Sequence, residues 1–181
     1  MKVLVVVDMQ NDFITGSLGT KEAQAIVPNV KKKIDEAVKN GDLIVFTRDT
    51  HWEDYLSTQE GRKLPVEHCI RNTGGWDIHE GLVPENYNFM MIRDKYTFGD
   101  IELPEDLAKT IRNFVGGIDE IELVGLCTDI CVVSNALLLK AYFYGGYEIS
   151  VDATCCAGVT PETHEAALKT MEMCQINVKR G

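Results

Sequence analysis

The stretch Gly125-Leu126-Cys127-Thr128-Asp129-Ile130-Cys131 follows the apolar run Ile121 to Val124 and leads directly into Val132-Val133 and the apolar positions Ala136 to Leu139. A buried strand that passes through a short polar turn into a helix is the unit of parallel sheets, because parallel neighbours need a crossover. The turn also sets Cys131 where a helix's amino end meets the carboxyl edge of a sheet, a place that favours a thiolate. Cys131 is therefore the first residue to read for chemistry.

Working outward, the runs Val3 to Val7, Leu43 to Phe46, Phe89 to Ile92 and Ile149 to Val151, with a shorter one at Ile176 to Val178, do not alternate with polar residues. They read as strands buried on both faces. Between the first two, Ile26, Val30, Ile34, Ala37 and Val38 recur at helical spacing and Asn40-Gly41 supplies the stop, with Pro28 tolerable only in the first turn. Pro104 opens a second helix through about Phe114, closed by Gly116-Gly117; Thr128 or Asp129 caps one reaching about Tyr144. Thr160-Pro161 opens the last, running to about Met173 with Ala167, Leu168 and Met171 inward. This alternation predicts an α/β fold, a three-layer α/β/α arrangement with a mostly parallel six-stranded sheet and helices on both faces. One domain over residues 1–181 is expected. Residues 50–87 carry Pro65, Gly74, Gly75 and Trp76 without a clear period and read as a long site-forming loop.

Composition narrows the function. A net charge of -10 excludes a phosphate-tracking nucleic-acid binder and a protein held on an anionic membrane, both of which need clustered Lys and Arg. The opening Lys2 to Asp8 is too short and wrongly punctuated for a signal peptide or membrane span. A cytoplasmic location with all six cysteines reduced is expected, and a small uncharged or cationic partner fits best.

The polar residues worth explaining fall at strand ends. Asp8 follows the first, Asp49 and His51 the second, Lys95 the third, the Cys127 to Cys131 turn the fourth, and Asp152 the fifth, so they converge on the edge where such sheets bind ligands. Asp8, Lys95 and Cys131 are the parts of a nucleophilic amidase: a proton acceptor, a cation and a thiol. Each also has a plain reading as loop cap, solvated cation or buried filler. Asp49 and His51 point to one side of an extended segment, His68 can join them, and Glu60 offers a further oxygen. That set suits zinc, iron or manganese; equally, the histidines can satisfy backbone groups in a long loop. His79 and His164 read as structural, His164 solvated beside Glu165. Cys155-Cys156 reads as packed thiols, Met90-Met91 and Met171-Glu172-Met173 as filler, and Lys31-Lys32-Lys33 as the wet side of a helix.

Taken together, Val5 to Phe13, Thr47 to Trp52, Pro65 to Cys69, Asp94 to Gly99, Gly125 to Cys131 and Asp152 to Cys155 resemble, block by block and in order, the isochorismatase-like cysteine hydrolases, and among them the nicotinamidases. The resemblance implies a triad of Asp8, Lys95 and Cys131, and a divalent metal, zinc foremost, held by Asp49, His51 and His68 with Glu60 as a further ligand. It implies a cis Leu126-Cys127 bond and an oxyanion hole from the Cys127 and Cys131 amides. Phe13 would stack on the substrate ring, with Leu18, Trp52 and Phe98 as pocket walls. The reaction implied is nicotinamide to nicotinate and ammonia through a thioester, in an enzyme that forms homo-oligomers. Two alternatives stand beside it: an amidase for a pyrazinamide-like, N-carbamoyl or aliphatic amide, and a non-catalytic metal-binding domain for oligomer assembly. Arg71 to Trp76 and Tyr96 depart from the family pattern where loops shape the pocket, so they bear on substrate choice.

Overall fold

A computed structural model describes residues 1–112 and 117–181. Six parallel strands run β1 (Lys2–Val7), β2 (Leu43–Asp49), β3 (Met90–Lys95), β4 (Glu120–Leu126), β5 (Glu148–Ala157) and β6 (Asn177–Lys179), in the spatial order β3-β2-β1-β4-β5-β6. The chain winds outward from β1 in both directions, so the carboxyl ends of β1 and β4 flank the point where the winding reverses.

Side chains of β1 alternate between two apolar cores, which is why that strand reads as one unbroken apolar run. Leu4 and Val6 pack with Ala23, Ile26, Val30 and Ile34 of α2 (Lys21–Asn40) and with Phe13 and Ile14 of α1 (Asn11–Ile14). Val3, Val5 and Val7 face α4 (Leu103–Ile111), α5 (Val133–Tyr142) and α6 (Pro161–Met173) through Leu107, Ala136, Leu139 and Leu168. The expected three layers with helices on both faces are therefore present. The long loop after β2 contains a short 3-10 turn, Tyr55–Ser57, and the helix α3 (Gln59–Lys63).

Several expectations need correction. Pro28 lies in the interior of α2, which starts at Lys21 behind the Thr20 cap; Pro28 is exposed, so water can take the carbonyl its missing N–H leaves free. The strand β3 is an edge, and Phe89 and Ile92 beside and within it are half exposed, so the third strand is not buried on both faces. Asp152 does not end β5, which continues to Ala157; its carboxylate takes Lys33 at 2.6 Å and the Thr154 hydroxyl at 2.6 Å, away from the site. Lys33 is accordingly part of an ion pair and not of a wet helix face. Met171 is buried but Met173 is exposed. The expected helix end at Phe114 and the first half of its Gly116-Gly117 stop lie outside the described residues. All six cysteines are free. Among the described residues no helix is long and apolar enough to cross a membrane.

Candidate active site

Asp8 leaves β1 with φ at 46° and its side chain fully buried. Thr47 of β2 holds it: the Asp8 N–H donates to the Thr47 hydroxyl at 3.2 Å, and that hydroxyl donates to Asp8 Oδ1 at 2.7 Å. Lys95, the last residue of β3, brings its Nζ to 2.7 Å from Asp8 Oδ2, 3.1 Å from Asp49 Oδ1 and 3.4 Å from Cys131 Sγ. Nζ hydrogen-bonds to Asp49 and Cys131, and its shortest contact is the ion pair with Asp8 Oδ2. Asp8 Oδ2 and Cys131 Sγ thus share the same Lys95 Nζ as a neighbour.

Burial sets the protonation of this group. It pushes Asp8 above its ordinary 3.8, with Lys95 opposing and Asp49 adding. It drives the Cys131 thiol well above 9.0, Lys95 opposing and Asp8 and Asp49 adding. Burial works against the Lys95 charge too, but Asp8, Cys131 and Asp49 outweigh it and carry Lys95 well above 10.5. Burial and the neighbouring charges thus favour the cationic form of Lys95 and the protonated form of the Cys131 thiol. Cys131 sits inside a π-helical turn, Thr128–Val132, that runs directly into α5, at the helix start the sequence points to.

That turn begins after a cis Leu126-Cys127 bond. The Cys127 carbonyl accepts from the Ile130 and Val132 N–H groups at 3.1 and 3.0 Å. Neither Thr128 nor Asp129 caps a helix, contrary to expectation. The Thr128 hydroxyl pairs with His164 Nδ1 at 2.8 Å, and the Asp129 carboxylate accepts the Val159 N–H at 3.1 Å, so both tie the turn to the start of α6. His164 is therefore not a solvated residue.

Beside Asp49, the ring nitrogens and carboxylate oxygens of His51, Glu60 and His68 all approach within 4.8 Å of one another. His51 Nε2 lies 3.0 Å from Asp49 Oδ2 and 3.7 Å from Glu60 Oε1; His68 Nε2 lies 3.7 and 3.8 Å from the same two oxygens. The Val66 carbonyl accepts a hydrogen bond from His68 Nδ1 at 2.8 Å, so the neutral ring presents the Nε2 lone pair to the cluster. Burial and then Asp49 push Glu60 upward, while Lys95, His51 and His68 overcome burial to hold Asp49 well below its ordinary value. Two imidazoles and two crowded carboxylates fit a divalent cation such as zinc. A cavity of about 790 Å³ joins this cluster to Cys131.

The isochorismatase domain model matches residues 2–179. The chain belongs to the isochorismatase family. It is 28% identical over 98% of both chains to the nicotinamidase/pyrazinamidase of Mycobacterium tuberculosis. Among solved structures it resembles the zinc complex of the Pyrococcus horikoshii pyrazinamidase, with a TM-score of 0.83 at 29% identity over 99% of each chain. The Thermoplasma acidophilum N-carbamoylsarcosine amidase is also similar, with a TM-score of 0.77 at 27% identity over 99% of this chain and 96% of that one.

In this isochorismatase-family chain the residues singled out from sequence converge: Phe13, Leu18, Trp52 and Phe98 line the same cavity as Cys127 and Cys131. Phe13 is almost fully buried, 5.6 Å from the His68 ring, whereas Trp52 and Phe98 are half exposed at the mouth. Three contributors escaped the sequence reading. Tyr55 is buried edge-on to His68 at 5.0 Å with its hydroxyl on the Leu64 carbonyl; Thr47 braces Asp8; Gln10 grips Asp49. Thr47 and Gln10 each lie two residues from a site carboxylate, Asp49 and Asp8 respectively, the one signal that could have marked them.

Proposed function

We propose that this chain is a metal-assisted cysteine amidohydrolase that converts a heteroaromatic carboxamide, nicotinamide foremost, to its carboxylate and ammonia. One observation carries the reading: Lys95 Nζ touches the Asp8 carboxylate, the Cys131 thiol and Asp49 together, which joins a nucleophile and its base to the metal cluster in one cavity. The identity to nicotinamidases over the full length supports it.

In this mechanism Asp8 takes the thiol proton as Cys131 Sγ attacks the carboxamide carbon, and Lys95 holds the charge balance. Concerted transfer suits a thiol whose resting state is protonated. The amides of Cys127 and Cys131 receive the oxyanion. Asp8 returns the proton to the leaving nitrogen, ammonia departs, and Cys131 carries a thioester. Asp8 then accepts a proton from water as it attacks the thioester, which frees the acid and restores the thiol. When bound by Asp49, His51, His68 and Glu60, the ion supplies Lewis acidity and a fixed position for the ring nitrogen. Phe13 and His68 shape the ring's slot, with Leu18, Trp52 and Phe98 around it. Cytoplasmic pyridine-nucleotide salvage feeding NAD belongs to the same reading.

A coupled ammonia assay over nicotinamide, pyrazinamide, N-carbamoyl and aliphatic amides tests it. Nicotinamide is expected to turn over fastest, and Cys131→Ala to lose roughly 10⁴-fold or more. Wild-type rates in Cys131→Ala would refute the thioester route. Turnover of N-carbamoyl amides alone would favour a second reading, which the likeness to the N-carbamoylsarcosine amidase supports.

A further inference from the structure

Gln10 is fully buried just beyond β1, and its amide grips Asp49 at both ends of that residue. The Asp49 N–H donates to Gln10 Oε1 at 2.7 Å, and Gln10 Nε2 donates to the Asp49 carbonyl at 2.9 Å and to the Trp76 carbonyl at 2.8 Å. All the groups involved are satisfied, and a side chain of any other shape would leave two carbonyls and an N–H buried without partners.

Two residues on, Asp12 does the same for the other half of the cluster. Its Oδ2 accepts the Cys69 N–H at 2.8 Å, and its own N–H donates to the Gly75 carbonyl at 3.0 Å. The Cys69 carbonyl in turn accepts the His51 N–H at 3.0 Å. Cys69, the residue after His68, is thus held at its N–H by Asp12 and at its carbonyl by His51. Gly75 is bare because a methyl group there would fall 2.1 Å from Asp12 Oδ2.

We infer that Gln10 and Asp12 are positioning residues that fix the separation of Asp49, His51 and His68 and so set the affinity of the cluster for a divalent cation. The inference rests on the metal reading above. Neither side chain is placed among the ligands; each acts through the backbone of a residue that carries or adjoins one, an outer contribution of the kind that tunes metal sites by about 10- to 100-fold.

The test is zinc affinity without substrate, by competition against a chromophoric chelator, in wild type, Gln10→Leu, Asp12→Ala, Asp12→Asn and His68→Ala, with the thermal midpoint of each protein in excess chelator alongside. Asp12→Ala and Gln10→Leu are expected to bind zinc at least about tenfold more weakly. Asp12→Asn, which keeps an oxygen for the Cys69 N–H, recovers most of the loss. Asp12 is only half-buried, so its arms decide the question should Gln10→Leu not fold. Zinc binding equal to wild type in Asp12→Ala, with only the chelated midpoint lowered, would show a merely structural role and overturn the inference. If His68→Ala also binds as wild type does, the metal reading itself falls, and the inference with it.

Discussion

Gly125 stands at φ 115° in β4, and a methyl group on it would lie 2.1 Å from the Val7 carbonyl oxygen. Only glycine lets β4 approach β1 this closely, one residue before Asp8 leaves the sheet. Gly125→Ala should therefore destabilise the protein by about 3 kcal/mol, from the clash and the disfavoured φ together, as read by urea denaturation. A loss within experimental error would show that the strands separate at no cost. Thr47→Val removes the hydroxyl that donates to Asp8 Oδ1 while keeping the shape of the side chain. A hydrogen bond to a charged group contributes about 1.5–3 kcal/mol, so kcat/KM should fall about tenfold or more. Because that hydroxyl favours the ionised carboxylate, the acid limb of the rate profile should also move to higher pH, and an unmoved limb would place the base elsewhere.

At the scale of elements, α2 carries Pro28 on an exposed face well past its first turn, where the ring removes one helical hydrogen bond. Pro28→Ala should raise stability by about 1–3 kcal/mol in the same denaturation experiment, the upper figure being reduced by the freer unfolded chain. The helix persists because Ala23, Ile26, Val30 and Ile34 bury a continuous stripe on either side of the proline. Ile26, Val30 and Ile34 were legible in the sequence, whereas Ala23 and the depth of the proline were not: the start of a helix depends on the Thr20 side chain accepting the Ala23 N–H, and apolar spacing does not encode it. The polar turn after β4 departs from the expected cap for a related reason. Thr128 and Asp129 have the chemistry of caps, but their partners, His164 and Val159, come from a segment some 30 residues away.

Across the whole molecule, the six-stranded, mostly parallel sheet and the convergence of Asp8, Asp49, Lys95 and Cys131 could be read from apolar runs and the residues that end them, whereas the order of the strands could not. The charge pairs within the sheet could not. Glu120, Glu122 and Asp152 on β4 and β5 gather Lys2, Lys33 and Lys179 from separate parts of the chain, with contacts of 2.6 Å for Lys2 to Glu120, Lys179 to Glu122 and Lys33 to Asp152. Burial pushes the Glu120 carboxyl up, but hydrogen bonds from Lys179, Lys2 and Ser150 outweigh it and bring it down to about 2. The folded state thus protonates Glu120 at lower pH than the unfolded chain, whose ordinary value is 4.5. Its stabilisation is complete above that value and is lost as pH falls toward 2. Wild type and Glu120→Gln should accordingly converge in stability as the medium is acidified through that window; a constant gap would contradict the assignment. Among the described residues β3 is an outermost strand bonded to β2 alone. It delivers the one cation that joins the thiol, its base and Asp49, yet both apolar cores are built mainly by other elements. Catalysis is therefore a gauge of how firmly one border strand is seated: in rising urea, ammonia release should fail while the rest of the sheet still gives its full circular-dichroism signal.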